Sequence, residues 1–328
     1  MIAWPSTCPV ARWAALALGL TVVFNGCSSS SNGTVRPKST TTTTSPARAS
    51  GGCGKEPAVT ATDLKPPGDV PLTFTVGQQQ RTYRLGVPSS YHKNTPAPVV
   101  LSLHGSLGTA EIEDALTALP TQSAKRGFIT VTPDAVNKNW ELAGQGRDDQ
   151  FLTALLDDVA ARYCADLDRV NAAGLSLGAW KAAVTACTHP DRFASIALVA
   201  VEVHPNCGPM PVVAFHGTAD HIVPYGEGAD PGIVVVGPNA GLPGVRVNMP
   251  QWARSAGCSD QKDVERIEPD VEHWIYRGCP AGMGVELYSI EHGDHTWPGS
   301  TVPLPGTTHT IDATKLALDW FEAHPKRV

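Results

Sequence analysis

A buried strand, a serine between glycines and a helix follow one another directly between residues 170 and 187. Val170–Ala173 has the pattern of an apolar strand, Leu177–Cys187 has that of a helix, and Gly174-Leu175-Ser176-Leu177-Gly178 joins the two. The glycines permit a tight turn that presents the Ser176 hydroxyl above the edge of a sheet, beside the positive end of a helix dipole. This strand-turn-helix setting is the one a nucleophilic serine requires, and a plain helix cap at Ser176 is the alternative.

The surrounding sequence alternates between strand and helix patterns. Val70–Val76 and Arg81–Val87 alternate apolar and polar side chains around Gly77, which predicts a hairpin. Buried runs separated by helical stretches are typical of βαβ units, so the chain is predicted to form a mostly parallel sheet with helices on both faces in a single catalytic domain. Further strands are predicted at Pro98–Leu103, Phe128–Thr132, Arg169–Gly174, Ser195–Val201, Pro211–His216, Val271–Arg277 and Val285–Glu291. Helices are predicted to begin at Thr109, at Asp148 or Asp149, at Leu177 and at Asp312.

A serine nucleophile needs a base and a carboxylate that orients the base. When the serine lies on a strand-turn-helix of this kind, both partners follow it along the chain, first the acid and then the histidine. The strand that ends at His216 is followed by Gly217-Thr218-Ala219-Asp220. Asp220 therefore lies just past the carboxyl end of a strand, where catalytic groups collect in α/β sheets. We predict Asp220 as the acid, with an ordinary turn aspartate as the alternative.

Eleven histidines compete for the role of the base. His295 follows a late strand and begins a loop rich in Gly and Pro, which is the placement a catalytic histidine needs, and His292 is its rival. His104 and His216 each precede a glycine at a strand end, so we assign them structural roles. His292, Asp294 and His295 lack a further ligand group that matches a metal site, so no metal is predicted.

The oxyanion of an ester intermediate needs preorganised N–H donors. The backbone N–H of Leu177, directly after the nucleophile, is one predicted donor. The other is the backbone N–H of Ser106, because His104-Gly105-Ser106-Leu107-Gly108 follows a strand and matches an HG-x-x-G oxyanion loop.

The first 52 residues read as export and tether sequence. Arg12 precedes the apolar run Trp13–Phe24, which is too short to span a bilayer, so residues 1–27 are predicted to be a signal peptide. Cys27 stands in a lipobox-like position and is predicted to carry a lipid that anchors the exported protein to the cell membrane; secretion after ordinary cleavage is the alternative. Residues 28–52, rich in Ser, Thr and Pro, are predicted to be a disordered tether before a domain at 53–328.

Six cysteines remain after Cys8 of the leader and Cys27 are set aside. An even number in an exported chain predicts disulfides, here three, and the absence of a C-x-x-C pair argues against zinc. Cys258 and Cys279 flank one short excursion and are predicted to pair. The sequence leaves the pairing of four cysteines open: Cys53, Cys164, Cys187 and Cys207.

Four segments together resemble the secreted polyhydroxybutyrate depolymerase and feruloyl esterase family, which includes acetyl xylan esterases. They are HGSLG at 104–108, GLSLG at 174–178, AFHGTADHIVPY at 214–225 and HTWPG at 295–299. The resemblance implies an α/β-hydrolase fold, ester hydrolysis and the catalytic set Ser176, Asp220 and His295. Leu177, Trp180 and Asp294 depart from the family's usual residues, which leaves the shape of the acyl pocket undetermined.

Aromatic residues beside the predicted site are candidates for substrate binding. They are Trp140, Trp180, Tyr225 and Trp297. Trp140 is the first candidate for stacking on an aromatic acyl group or a sugar ring. A brace for the His295 loop is the alternative for Trp297.

The composition limits the partners of the chain. A formal net charge of −6 over 328 residues argues against nucleic-acid binding, which needs a basic surface. The predicted chemistry needs no cofactor, and we expect a monomer that acts on a small or soluble oligomeric feruloyl, acetyl or short hydroxyalkanoate ester. A serine peptidase of the same fold and an inactive surface-anchored binding module are the alternatives.

Overall fold

A ten-stranded sheet forms the centre of the computed structural model, which describes residues 47–64, 68–226 and 243–326. Its strands are β1 (Val70–Val76), β2 (Gln79–Gly86), β3 (Ala97–Leu103), β4 (Ile129–Pro133), β5 (Ala165–Leu175), β6 (Ser195–Val199), β7 (Val212–Gly217), β8 (Lys262–Glu268), β9 (Val271–Tyr276) and β10 (Val285–Ile290). The helices are α1 (Ala110–Thr117), α2 (Leu119–Ala124), α3 (Arg147–Arg162), α4 (Leu177–Thr188), α5 (Val245–Ser255) and α6 (Ala313–Ala323). The spatial order of the strands is β1-β2-β4-β3-β5-β6-β7-β10-β9-β8. The run from β4 to β10 is parallel, and antiparallel strands complete both edges, so the sheet is mostly parallel as predicted.

Both faces of the sheet are buried. Successive side chains of a strand point to opposite faces, so one strand contributes to two separate cores. Leu101 of β3 packs into a core with α3, α4 and α5, whereas its neighbour Val100 packs into a second core with α2 and α6. Helices therefore cover both faces, as the near-continuous apolar runs of the central strands predicted.

The start of α3 differs from the sequence prediction. α3 begins at Arg147 with Gly146 as its N-cap, so neither Asp148 nor Asp149 is the cap. Their carboxylates instead accept hydrogen bonds from the preceding loop, from the N–H groups of Glu141 and Gln145. The predicted cap at Asp312 is confirmed, because its side chain accepts the N–H of Lys315 at 3.1 Å.

Three disulfides tie the described part of the chain together. They join Cys53 to Cys164, Cys187 to Cys207 and Cys258 to Cys279, and the last is the pair predicted from the sequence. Disulfides of this number are typical of proteins that fold in an oxidising compartment outside the cytosol.

Residues just before Cys53 are held against β5. Ala49 bridges to Asp166, and the N–H of Ser50 donates to Ala165 O at 2.9 Å. Residues 48–52, assigned to the tether from their composition, are thus held at the start of β5. Residues 1–46, including Cys27, lie outside the described residues. Within the described ranges no helix is both long and apolar enough to cross a membrane.

The topology brings four loops to one edge of the sheet. In the registers of adjacent parallel strands, Leu175 pairs with Val199, Val199 with Phe215, and Gly217 with Ile290. The carboxyl ends of β5, β6, β7 and β10 are therefore level, and the residues that follow them emerge together.

Candidate active site

Ser176 occupies a strained turn between β5 and α4. Its backbone has φ 58° and ψ −123°, a conformation that residues other than glycine rarely adopt. Two backbone hydrogen bonds hold the turn: Ser176 N–H donates to Val199 O at 2.9 Å, and Trp180 N–H donates to Ser176 O at 3.1 Å. The strain presents the side chain at the sheet edge, where the residue is 7% exposed.

The two glycines of the motif are required by close packing of the backbone. A Cβ at Gly174 would overlap the backbone of Gly178, and a Cβ at Gly178 would overlap the carbonyl of Leu103. The turn therefore lies directly against the end of β3, which leads into the predicted oxyanion loop.

Asp220 and His295 are brought together by the loops after β7 and β10. Asp220 Oδ2 lies 2.7 Å from His295 Nδ1, and Oδ1 accepts the N–H groups of Ile222 at 2.9 Å and Val223 at 2.8 Å. Burial opposes the charge of this carboxylate, but hydrogen bonds from His216 and His295 outweigh it and hold the pKa of Asp220 well below its usual range. Asp220 is thus an ionised, fixed acceptor for His295.

The contact between His295 and the Ser176 hydroxyl is not formed as a hydrogen bond in the described residues. Within the described residues the His295 ring is hydrogen-bonded to Asp220 and makes no hydrogen bond to Ser176 Oγ. Bonds between a nucleophile and its base often tighten only when substrate is bound.

Asp294 links the two loops that carry Asp220 and His295. Its Oδ1 accepts the N–H of His295 at 2.7 Å and lies 2.5 Å from His221 Nδ1. The rival His292 has a side chain that is 90% exposed, and its Nε2 lies 3.9 Å from Glu291 Oε1. The residue that departs from the family pattern, Asp294, therefore fixes the position of the His295 backbone.

A buried pair behind Asp220 was not predicted from the sequence as part of the site. His216 Nδ1 lies 2.7 Å from Glu202 Oε2, and His216 Nε2 lies 3.4 Å from Asp220 Oδ2. Both Glu202 and His216 are 2% exposed. Glu202 lies just beyond β6, and β6 is the strand between β5, which leads to Ser176, and β7, which leads to Asp220. No motif marks Glu202 in the sequence.

The loop at 104–108 has the features of an oxyanion loop. In the described part of the chain the N–H groups of Ser106 and Leu177 donate to no protein acceptor, whereas Leu107 N–H donates to Lys138 O at 2.8 Å. His104 Nε2 accepts the N–H of Ala135 at 3.0 Å, so its Nδ1 carries the proton and donates to Gly105 O at 2.7 Å. Burial lowers the pKa of His104, in keeping with this neutral form.

Residues 76–278 match the family described as Putative esterase, which is more than half of the chain. The chain belongs to this family. Two relatives, aligned over most of their length, support the match. The Putative esterase NocK of Nocardia uniformis subsp. tsuyamanensis is 26% identical, with 80% of this chain and 86% of the relative covered. The Probable feruloyl esterase C of Aspergillus niger is 27% identical, with 75% and 88% covered.

Solved structures agree with the fold. An acetyl xylan esterase from Aspergillus awamori superposes with a TM-score of 0.56 at 16% identity, over 77% of this chain and 99% of that one. The resemblance to a feruloyl esterase-like family, predicted from the four motifs, is thereby confirmed. The esterase is a carboxylic ester hydrolase with an α/β-hydrolase fold.

Two of the four aromatic residues predicted to bind substrate are internal in the esterase. Trp140 is 4% exposed, and its Nε1–H donates to His104 O at 2.9 Å; Trp297 is 1% exposed, and its Nε1–H donates to Thr314 Oγ1 at 2.9 Å. A buried indole cannot stack on a ligand, so these two residues brace the 104–108 loop and the His295 loop instead.

The other two aromatic residues are half-buried. Trp180, in the first turn of α4, packs against the core, and the Tyr225 hydroxyl donates to Ser289 Oγ at 2.9 Å. Across residues 47–64, 68–226 and 243–326, the esterase holds no group of three or more His, Cys, Asp or Glu side chains arranged to bind a metal ion.

Proposed function

We propose that the esterase cleaves its substrates through a Ser176–His295–Asp220 triad and an acyl-enzyme. The observation that carries the proposal is the 2.7 Å contact of His295 with the ionised Asp220, on the same sheet edge as the strained turn at Ser176. A serine hydroxyl becomes a nucleophile only when an oriented base removes its proton.

In the proposed reaction His295 Nε2 takes the proton of Ser176 Oγ as that oxygen attacks the ester carbonyl. The carbonyl electrons move to oxygen, and the oxyanion accepts hydrogen bonds from the N–H groups of Ser106 and Leu177. When the intermediate collapses, the ester C–O bond breaks and the alcohol leaves with the proton from His295. Water, deprotonated by His295, then attacks the acyl-enzyme and releases the acid and Ser176.

Electrostatic preorganisation favours these two amides as the oxyanion hole. Each has no other acceptor in the described chain, and Leu177 is the first residue of α4, where the helix dipole adds positive potential. The loss of one such donor typically costs about 3 kcal/mol of transition-state stabilisation.

Substitution of the nucleophile tests the proposal. Ser176→Ala should lower kcat for p-nitrophenyl acetate by about 10⁴-fold or more. The matched control is Ser89→Ala, an exposed serine that should keep the wild-type rate. A fluorophosphonate probe should add one adduct to the wild type and to the control, and none to Ser176→Ala. Labelling or turnover that survives in Ser176→Ala would refute the assignment.

For the substrate we propose a small or soluble oligomeric ester with a feruloyl, acetyl or short hydroxyalkanoate acyl group. Support comes from the similarity to a probable feruloyl esterase and from the four sequence motifs at 104–108, 174–178, 214–225 and 295–299. Rates for methyl ferulate, p-nitrophenyl acetate and p-nitrophenyl 3-hydroxybutyrate, compared as kcat/KM, distinguish the three classes. A clear preference for p-nitrophenyl esters of long acyl chains over all three would contradict this proposal.

We also propose that the enzyme is exported as a monomer and held at the membrane by a lipid on Cys27. The support is the leader sequence together with the three disulfides. Mass spectrometry of the mature N-terminus should find a diacylglyceryl group on Cys27, and Cys27→Ala should release the activity into the medium. An unmodified N-terminus elsewhere in the leader region would refute anchoring.

A further inference from the structure

The buried Glu202–His216 pair has no part in the chemistry derived so far, yet it contacts the proposed acid directly. Glu202 follows β6, and His216 lies one residue before the end of β7. Burying an ionisable pair costs solvation free energy, and neighbouring groups must satisfy its hydrogen-bonding atoms. The contacts of this pair point toward Asp220.

Proton positions on His216 follow from its two acceptors. Nδ1 faces the Glu202 carboxylate at 2.7 Å, and Nε2 faces the Val223 carbonyl at 2.9 Å. A carbonyl and an ionised carboxylate can only accept, so with Glu202 ionised both ring nitrogens carry a proton and the ring is cationic. Burial alone would lower the pKa of His216, but the Glu202 and Asp220 carboxylates outweigh burial and raise that pKa to about 10.

Groups from other elements hold Glu202 in place. Its Oε1 accepts from Asn248 Nδ2 of α5 at 3.1 Å, and its backbone carbonyl accepts the Nε1–H of Trp252 at 2.8 Å. The ionisable groups that face the His216 ring in the described chain are Glu202, Asp220 and Tyr225, whose ring packs edge-on at 5.4 Å.

We propose that Glu202 and His216 are positioning residues for the ester hydrolysis, which hold the Asp220 carboxylate in register with His295 and offset part of its charge. The inference rests on the proposed triad. Asp220 Oδ2 faces His295 Nδ1 at 2.7 Å and His216 Nε2 at 3.4 Å, while Oδ1 is held by two backbone N–H groups. The carboxylate therefore has contacts on both oxygens that prevent its rotation.

The charge of His216 has a defined effect on the reaction. A cation beside Asp220 weakens the attraction between Asp220 and the imidazolium that forms at His295. Without that cation the His295 imidazolium is stabilised more and keeps its proton to higher pH. The enzyme with a neutral, active His295 therefore forms only at higher pH. The acid limb of kcat/KM should therefore move upward when His216 loses its proton.

Glu202→Gln tests this effect with an isosteric side chain. The Gln carbonyl still accepts from Asn248, and its amide donates to His216 Nδ1, which leaves the ring neutral with its proton on Nε2. We expect the acid limb of kcat/KM to rise by about one pH unit and kcat on the plateau to fall about tenfold, with KM nearly unchanged. Glu202→Asp keeps the charge and should return the acid limb toward its wild-type position.

The matched control is Glu286→Gln, which removes the carboxylate of another His–Glu contact, that of His273 at 2.8 Å on β9 and β10. It should leave the pH profile and kcat at wild-type values. If Glu202→Gln has the profile of this control, the positioning role is wrong. That failure is distinct from failure of the triad, because Ser176→Ala in the same assay reports on the triad alone.

A measurement on the wild type removes any dependence on how the variant folds. In ¹⁵N-histidine NMR spectra, the two His216 ring nitrogens should both carry the shifts of protonated nitrogen from about pH 6 to about pH 8.5, since the ring stays cationic there. A His216 ring that becomes neutral within this range overturns the inference.

Discussion

Replacement of Trp140 by Phe tests whether this indole supports the oxyanion loop or binds substrate. Trp140 Nε1–H is the donor to His104 O at 2.9 Å, and its ring lies 4.9 Å from the His104 ring. Trp140→Phe keeps an aromatic ring and leaves a buried carbonyl without its donor. An unsatisfied buried acceptor costs about 1–3 kcal/mol, and each kcal/mol lowers Tm by about 2–4 °C in a chain of this size.

Activity should fall together with stability. The Ser106 amide belongs to the loop that Trp140 holds, so a displaced loop should weaken one proposed oxyanion donor. We expect kcat to fall about tenfold, less than the 10²–10³ that follows complete loss of a donor, with little change in KM. The decrease should be equal for methyl ferulate and p-nitrophenyl acetate, because the buried ring contacts neither acyl group.

Trp320→Phe is the control for the loss of ring volume. Trp320 is 6% exposed, and its Nε1 is buried without a hydrogen-bond partner among the described residues. The two variants lose the same ring atoms, but Trp140→Phe loses a hydrogen bond whereas Trp320→Phe loses an N–H that has no partner among the described residues, so Trp140→Phe should have the lower Tm. Equal Tm and kcat for the two variants would refute the bracing role, and a loss confined to methyl ferulate would restore substrate stacking.

Three further predictions follow from contacts described above. Gly178→Ala should prevent accumulation of folded enzyme, because the new Cβ overlaps the Leu103 carbonyl, whereas Gly208→Ala, with open space around its Cα, should express normally; comparable yields of soluble protein would contradict this. In Asp220→Asn, Tm should decrease less than in the wild type as the pH falls from about 5 to about 2. The pKa of Asp220 is lowered in the folded state, so its stabilisation is present above the ordinary value and is lost as pH falls; parallel stability curves for variant and wild type would argue against it. Replacement of both Cys187 and Cys207 by Ser should cost about 2–4 kcal/mol in denaturant unfolding at a sequence separation of 20, and an unchanged midpoint would exclude a stabilising role.

The positions of the proposed catalytic residues could be predicted from the sequence because each residue follows a strand with a strong local pattern. Ser176 follows an apolar run and precedes a helix, while Asp220 and His295 each begin a loop after a buried strand. Level carboxyl ends are a general property of parallel sheets, so local patterns were sufficient to predict that these loops meet.

Other features depend on packing that no local pattern records. Glu202 is an acidic residue after a strand, and only the neighbouring position of β7 places it against His216. The burial of Trp140 likewise depends on contacts with the 104–108 loop, 32 or more positions earlier in the chain. α5 contains Pro250, a residue that argues against a helix interior, and β8 is an edge strand with mostly exposed side chains, so it lacks the alternation that predicts a strand.

The arrangement of the loops divides the proposed catalytic groups into two halves, each joined by its own contacts. Ser176 and the 104–108 loop are joined through the close approach of Gly178 to Leu103, while the Asp220 and His295 loops are joined through Asp294 and the bond from Ala219 N–H to Gly293 O. β6 is the single strand between β5 and β7. Backbone hydrogen bonds hold neighbouring strands about 4.8 Å apart, so this one intervening strand sets the span between the two halves, whatever side chains β6 carries.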